Sequence, residues 1–304
     1  MAASGKQNRA HDSFDLSCQA YGDLVAQYIA RAPFLSEWPG LTGELFGSLT
    51  GEHPWKVVLP MLACQTAGGD PETALPASAA WLCLRHAAHM LDAVADGDWN
   101  RVNAGSSPRP GLAAGLIFSA LQFVTEYGDG STVKRVLTQF SSSGLHSALG
   151  QSMFISPIDT RDQPEDYLER YWQATILKSG SIFQAGASAG AATATDRQDW
   201  IDALGDYGCA LGVMLQVLDD CRDHVDDRSQ HVTPSGLPIL LENLMPGSDK
   251  QALSEALSQI LLEWQRRALQ ALSNLPDSPG REFLTRIPAQ ILNLQSSVSV
   301  VSEK

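Results

Sequence analysis

Residues 208–223 read GCALGVMLQVLDDCRD. From Gly208 to Leu218 only Gln216 is polar, so the segment fits a helix that is apolar on every side and buried along its length. It closes on three carboxylates, Asp219, Asp220 and Asp223. Residues four apart on an α-helix lie one turn above each other on the same face, so Asp219 and Asp223 can converge on one point. Three carboxylates at the end of a buried helix repel one another unless something positive neutralises them. Carboxylate oxygens without His or Cys partners favour a hard cation.

The pattern recurs upstream. Residues 86–98 read HAAHMLDAVADGD, and Asp92 and Asp96 again stand four apart in apolar helix-like surroundings. A single such pair is more often a solvated helix face or an end-cap. Two of them in a chain with only 18% charged residues read as the two halves of one metal site. Mg²⁺ usually keeps water and completes its shell with substrate phosphate, so the implied ligand is a diphosphate.

Around these clusters the dominant signal is helical. Apolar residues recur at spacings of three and four near 14–31, 55–67, 75–98, 110–127, 131–150, 164–193, 197–228, 236–245, 249–274 and 279–297. The breaks fall at Gly68-Gly69, Ser106-Ser107-Pro108, Gly128-Asp129-Gly130, Ser156-Pro157, Pro234-Ser235-Gly236 and Pro246-Gly247. Alternating runs are nearly absent, which predicts an all-α body of about ten helices with no linker long enough to divide it. The polar, aperiodic residues 1–13 are expected to be a disordered tail, and 14–304 a single helical domain.

Composition narrows the function. A formal charge of −13, with no basic stripe or recognition module, argues against a nucleic-acid partner. The five cysteines (Cys18, Cys64, Cys83, Cys209, Cys221) show neither CxxC nor metal-ligand spacing and read as small core residues of a reducing compartment. Neither a signal peptide nor an unbroken apolar run of membrane length is present, so the expectation is a cytoplasmic protein.

Taken together, several segments resemble the isoprenyl diphosphate synthase family, the all-α class I prenyltransferases and their cyclase relatives. The resemblance rests on Gly68-Gly69, the 92–96 motif, Gly150-Gln151, Lys178-Ser179-Gly180, Gly212 with Gln216 before Asp219-Asp220-x2-Asp223, and Gly236-Leu237-Pro238. It implies an isoprenoid synthase-type helical bundle around a central cavity. It also implies about three Mg²⁺ ions held by Asp92, Asp96, Asp219, Asp220 and Asp223, and a homodimer. Arg101, Lys178 and Gln216 would serve the substrate diphosphate. Without that context Lys178 reads as a surface lysine on an amphipathic helix. Arg222, beside the motif, is expected to point elsewhere.

The chain departs from the family pattern in three places. The first motif, DDxxD in the family, here carries Ala93 in place of its second carboxylate. The pair of arginines that follows it is reduced to Arg101-Val102. The basic GGKRLRP-like segment is replaced by Gly51-Glu52-His53-Pro54-Trp55-Lys56. Phosphate recognition needs forked or clustered cations, so the site for isopentenyl diphosphate reads as dismantled. The resulting expectation is a terpene cyclase that ionises a C20 or C25 allylic diphosphate. The alternatives are a prenyltransferase to another acceptor and a non-catalytic partner subunit. Trp81, Phe118, Phe123, Phe154, Tyr171, Trp172 and Phe183 lie on helices able to line an apolar chamber for the cation, though each taken alone reads as plain core. By resemblance, the small Ala87 and Ala88 would leave the pocket floor open to a long chain. His86 and His89 receive no role.

Overall fold

The computed structural model describes residues 2–50, 53–95, 109–155, 164–230 and 236–295. Among these the protein is all-α, with no strand. The helices are α1 (Ala2–Ala30), α2 (Pro33–Ser36), α3 (Pro39–Thr50), α4 (Trp55–Thr66) and, after a 3₁₀ turn at Pro71–Ala74, α5 (Leu75–Ala95). There follow α6 (Arg109–Thr125), α7 (Gly130–Ile155), α8 (Pro164–Thr175), a π-turn (Ile176–Gly180), α9 (Ser181–Ala194) and α10 (Gln198–Gln230). The chain closes with α11 (Leu237–Leu244), α12 (Lys250–Ala271) and α13 (Pro279–Gln295).

Most boundaries agree with the periodicity to within a few residues, and the exceptions have physical causes. Residues 2–13, expected to be disordered, form the start of α1. Their sequence holds Ala, Lys, Gln and Arg, all good helix formers, and no proline. Helices α2 and α3 fill the interval between 31 and 55 that the periodicity leaves open, and each opens on a proline, Pro33 or Pro39, at the first helical position, where a missing N–H costs nothing. The segment 164–193 is not one helix, because a π-turn interrupts it.

By its internal contacts the chain divides into two compact units of interleaved segments. The first comprises Met1–Ser142, Ala185–Asp202 and Leu275–Leu284; the second comprises Ser143–Gln184, Ala203–Asn274 and Thr285–Lys304.

The first unit is built on α4, which is apolar all round and buried from Val57 to Cys64. Gly190 of α9 stands where a β-carbon would fall 2.1 Å from the Pro60 carbonyl oxygen, so α9 meets the α4 backbone without an intervening side chain. At the C-terminus of α4 Gly68 takes φ +88° and reverses the chain, the left-handed conformation that suits glycine. Gly69 then packs against Ala194, where a β-carbon would lie 2.6 Å from that of Ala194.

In the second unit the core helix is α10, buried at Leu204, Tyr207, Leu211, Val213, Met214, Val217 and Leu218. The stretch Gln198–His224 is the one segment among the described residues long and apolar enough to cross a membrane. Its most apolar window is 72% buried in the protein, as befits a core helix. Leu253, Leu257 and Leu261 of α12, at four-residue spacing, supply a buried stripe.

Candidate active site

Helix α10 carries its aspartates in two environments. Asp219 and Asp223, one turn apart, are exposed, whereas Asp220 is only 7% exposed. Both oxygens of Asp220 are engaged: Oδ1 accepts from Gln216 Nε2 at 2.8 Å, and Oδ2 accepts from the Tyr171 hydroxyl at 2.7 Å and the Leu237 amide at 2.9 Å. Burial pushes the Asp220 carboxyl up, and these three donors pull against it. Burial, then the charge of Asp220, pushes the Tyr171 phenol well up, so the proton of the pair stays on Tyr171. Asp220 is therefore a buried acceptor that ties helices together, whereas Asp219 and Asp223 lie on the exposed side of α10.

The Gly-Leu-Pro segment fits this carboxylate. Gly236 adopts φ +81° and ψ −168°, a conformation closed to other residues, and a β-carbon there would lie 2.8 Å from Asp220. Leu237 donates its amide, and Pro238, in the first turn of α11, has none to satisfy.

Lys178 and Ser179 sit on the π-turn. Such turns widen the helix and project side chains that a regular α-helix would not, and they recur at functional sites. Glycines hold this one. A β-carbon on Gly150 of α7 would fall 2.4 Å from the Lys178 amide nitrogen, and one on Gly180 would fall 2.8 Å from Cys209 Sγ of α10. Ser179 Oγ donates to Gln216 Oε1. Gln216, expected to serve the diphosphate, thus spans Ser179 and Asp220 and links the π-turn to the aspartate motif.

Arg222 departs from its expected orientation: its guanidinium contacts Asp219 Oδ1 at 2.8 Å, three residues along the same helix face. The pair is about half exposed and adds little stability.

In the first unit, Asp92 lies half-buried near the end of α5. Asp96, Arg101 and Val102 lie outside the described residues, as do Gly51 and Glu52. Among the suggested chamber aromatics, Trp81 and Phe123 are fully buried core, and Phe118, 67% exposed, belongs to the surface. Tyr171 is committed to Asp220 through its hydroxyl. A groove of about 440 Å³ lined by Tyr28, Glu126, Tyr127 and Asp129, among others, includes none of the predicted site residues. The thiols of Cys209 and Cys221, pushed up to about 11 and about 12 by burial, are not nucleophiles at neutral pH.

Among the described residues no cluster of three or more His, Cys, Asp or Glu side chains could hold a metal ion by itself. The exposed Asp219–Asp223 pair nonetheless fits Mg²⁺ by donor chemistry, because that ion takes one or two carboxylates and fills its shell with water and phosphate.

Residues 112–236 match the family described as polyprenyl synthetase. The chain is 25% identical over 275 residues to a short chain isoprenyl diphosphate synthase of Methanothermobacter thermautotrophicus, covering 77% of this chain and 84% of the relative. It is 23% identical over 241 residues to a geranylfarnesyl diphosphate synthase of Methanosarcina mazei, covering 76% and 77%. A geranylgeranyl pyrophosphate synthetase of Geoglobus acetivorans superposes with TM-score 0.75 at 16% identity, over 92% of this chain and 98% of that one.

These relatives are named synthases of isoprenyl diphosphates, which overturns the expectation of a terpene cyclase acting as a lyase. That expectation weighed a few missing cations at 51–56 and 102 against the rest of the chain. Cations in two short stretches are a weaker indicator than similarity spread over three quarters of the sequence. The chain is isoprenyl diphosphate synthase-like and has the all-α isoprenyl synthase fold.

Proposed function

We propose that this protein is a chain-elongating prenyltransferase that ionises an allylic prenyl diphosphate and joins the prenyl group to isopentenyl diphosphate. The observation that carries this reading is the double layer at the end of α10. Two exposed carboxylates, Asp219 and Asp223, stand over a buried acceptor, Asp220, which is hydrogen-bonded through Gln216 to the π-turn bearing Lys178.

In this reading Asp219 and Asp223 are magnesium ligands, and Asp92 and Asp96 contribute carboxylates of the same chemistry. Bound there, magnesium would supply charge neutralisation of the diphosphate leaving group. Lys178 donates hydrogen bonds to the diphosphate oxygens, and these strengthen as the carbon–oxygen bond breaks and negative charge gathers on them, while Arg101 is a cation of the same donor chemistry. The allylic cation is attacked by the double bond of the acceptor, a carbon–carbon bond forms, and one proton is lost to restore an alkene. The small side chains of Ala87 and Ala88 on α5 support a long product, so Ala88→Phe should shorten it.

The test is incubation of the purified protein with Mg²⁺ and each C10 to C25 allylic diphosphate, with and without isopentenyl diphosphate. Longer diphosphates formed only when isopentenyl diphosphate is present are the expected result. Hydrocarbon or alcohol released from the allylic substrate alone would overturn the reading.

A further inference from the structure

Three donors converge on the buried Asp220, and they differ in what they can fix. Gln216 belongs to α10 and moves with it. Leu237 donates from the backbone at the start of α11. Tyr171, on α8, is the donor supplied by a side chain of another helix. Its ring is 6% exposed, packs edge-on against Trp172 with centroids 5.1 Å apart, and through Trp172 reaches Trp264 of α12, with centroids 6.1 Å apart.

We propose that Tyr171 is a positioning residue for the metal-binding carboxylates, acting through Asp220 to fix the rotation of the last turns of α10 and hence the aim of Asp219 and Asp223. The proposal rests on the reading of those two aspartates as metal ligands. Successive residues of a helix are turned by about 100°, so Asp220 lies about 100° from Asp219 and about 60° from Asp223. A rotation that lets Asp220 slip within its pocket swings both exposed carboxylates by the same angle. Two oxygens that must meet one small ion tolerate little such movement, because Mg²⁺ demands near-octahedral geometry at short distances. Tyr171 holds the buried side of the helix, so the exposed side presents a fixed pair. Its hydroxyl is spent on Asp220, so its influence on the exposed pair passes through that carboxylate.

The decisive variant is Tyr171→Phe, which keeps the ring and its packing and removes only the hydroxyl. Trp172→Phe is the control, since it loosens the same aromatic group without touching Asp220. Mn²⁺ affinity is measured by electron paramagnetic resonance in the presence of inorganic diphosphate, together with thermal unfolding of each variant and the Mg²⁺ dependence of turnover. Tyr171→Phe should weaken Mn²⁺ binding about fivefold or more, the scale of a lost hydrogen bond to a charged group. It should raise the Mg²⁺ needed for half-maximal turnover in parallel, with turnover recovering at saturating Mg²⁺. Trp172→Phe should lower the unfolding midpoint and leave Mn²⁺ affinity as in the wild type. Wild-type affinity in Tyr171→Phe, or equal weakening in Trp172→Phe, overturns the positioning role while the metal-ligand reading stands. Failure of the wild-type protein to bind Mn²⁺ overturns both.

Discussion

Gly212 of α10 lies so close to the π-turn that a β-carbon on it would fall 2.4 Å from the carbonyl oxygen of Ser179 and 2.9 Å from Cα of Gly180. The neighbouring atoms are backbone and cannot swing aside, so Gly212→Ala must push α10 and the turn apart. The Ser179–Gln216–Asp220 chain crosses this contact and would stretch with it. We expect Gly212→Ala to cost about 1–3 kcal/mol in urea unfolding, typical of overpacking. Stability equal to wild type would show that the two backbones do not touch as described.

In the sequence Gly150, Lys178-Ser179-Gly180, Gly212, Gln216 and Gly236-Leu237-Pro238 are legible only as separate signs of a family, without a reason for their company. In the second unit they form successive contacts: two glycines admit the π-turn, the glutamine bridges it to Asp220, and the Gly-Leu peptide closes on that carboxylate. The helices of the core were readable because a buried helix must be apolar. The split of the motif into exposed Asp219 and Asp223 and buried Asp220 was only half readable. Helical spacing pairs 219 with 223, but it does not say which side of α10 faces protein. Arg222 and Tyr171 escaped for a related reason, since each acts through a rotamer or a partner remote in sequence.

The α12 surface offers a pH test of its own. Glu263 accepts from Arg266 and Arg267, and those hydrogen bonds hold its carboxyl down to about 2. A carboxyl depressed in the folded state contributes stability that is complete above its ordinary value near 4.5 and fades as pH falls towards about 2. Glu263→Gln should therefore be less stable than wild type at neutral pH, with the difference vanishing as acid is added through that window. Both carboxylate and guanidinium groups are exposed, so 1 M salt should shrink the difference as well. Unfolding midpoints from pH 2 to 7 at low and high salt check both statements.

Helix α6 bears on the expected homodimer. Its exposed positions include Ile117, Phe118 and Leu121, flanked by Ala114, Gln122 and Thr125, with no charge among them. Two copies of a chain of net charge −13 repel over most of their surface, and an uncharged apolar face is where that repulsion is weakest. Phe118→Glu should convert a dimer into monomers in light scattering at micromolar concentration while leaving helicity unchanged. An oligomeric state unaffected by this change would remove α6 from the interface.

The three carboxylates of α10 divide by exposure, and their asparagine variants should divide the same way. Asp219 is about half exposed and Asp223 is exposed, so Asp219→Asn and Asp223→Asn remove charge without opening a cavity. Each should leave the unfolding free energy within about 0.5 kcal/mol of wild type, as for other surface changes. Each should lower turnover by roughly a hundredfold or more, the scale of losing a group that stabilises a charged transition state. Asp220→Asn should do the reverse in emphasis. It replaces a carboxylate oxygen that accepts from protein donors with an amide that must donate, so it should lose stability by about 1–3 kcal/mol. Arg222→Ala adds a sign test. With Asp219 read as a magnesium ligand, the guanidinium is a competitor for its oxygen, so its removal should lower the Mg²⁺ concentration needed for half-maximal turnover. A rise instead would mean that Arg222 holds Asp219 in the binding orientation and does not compete for it.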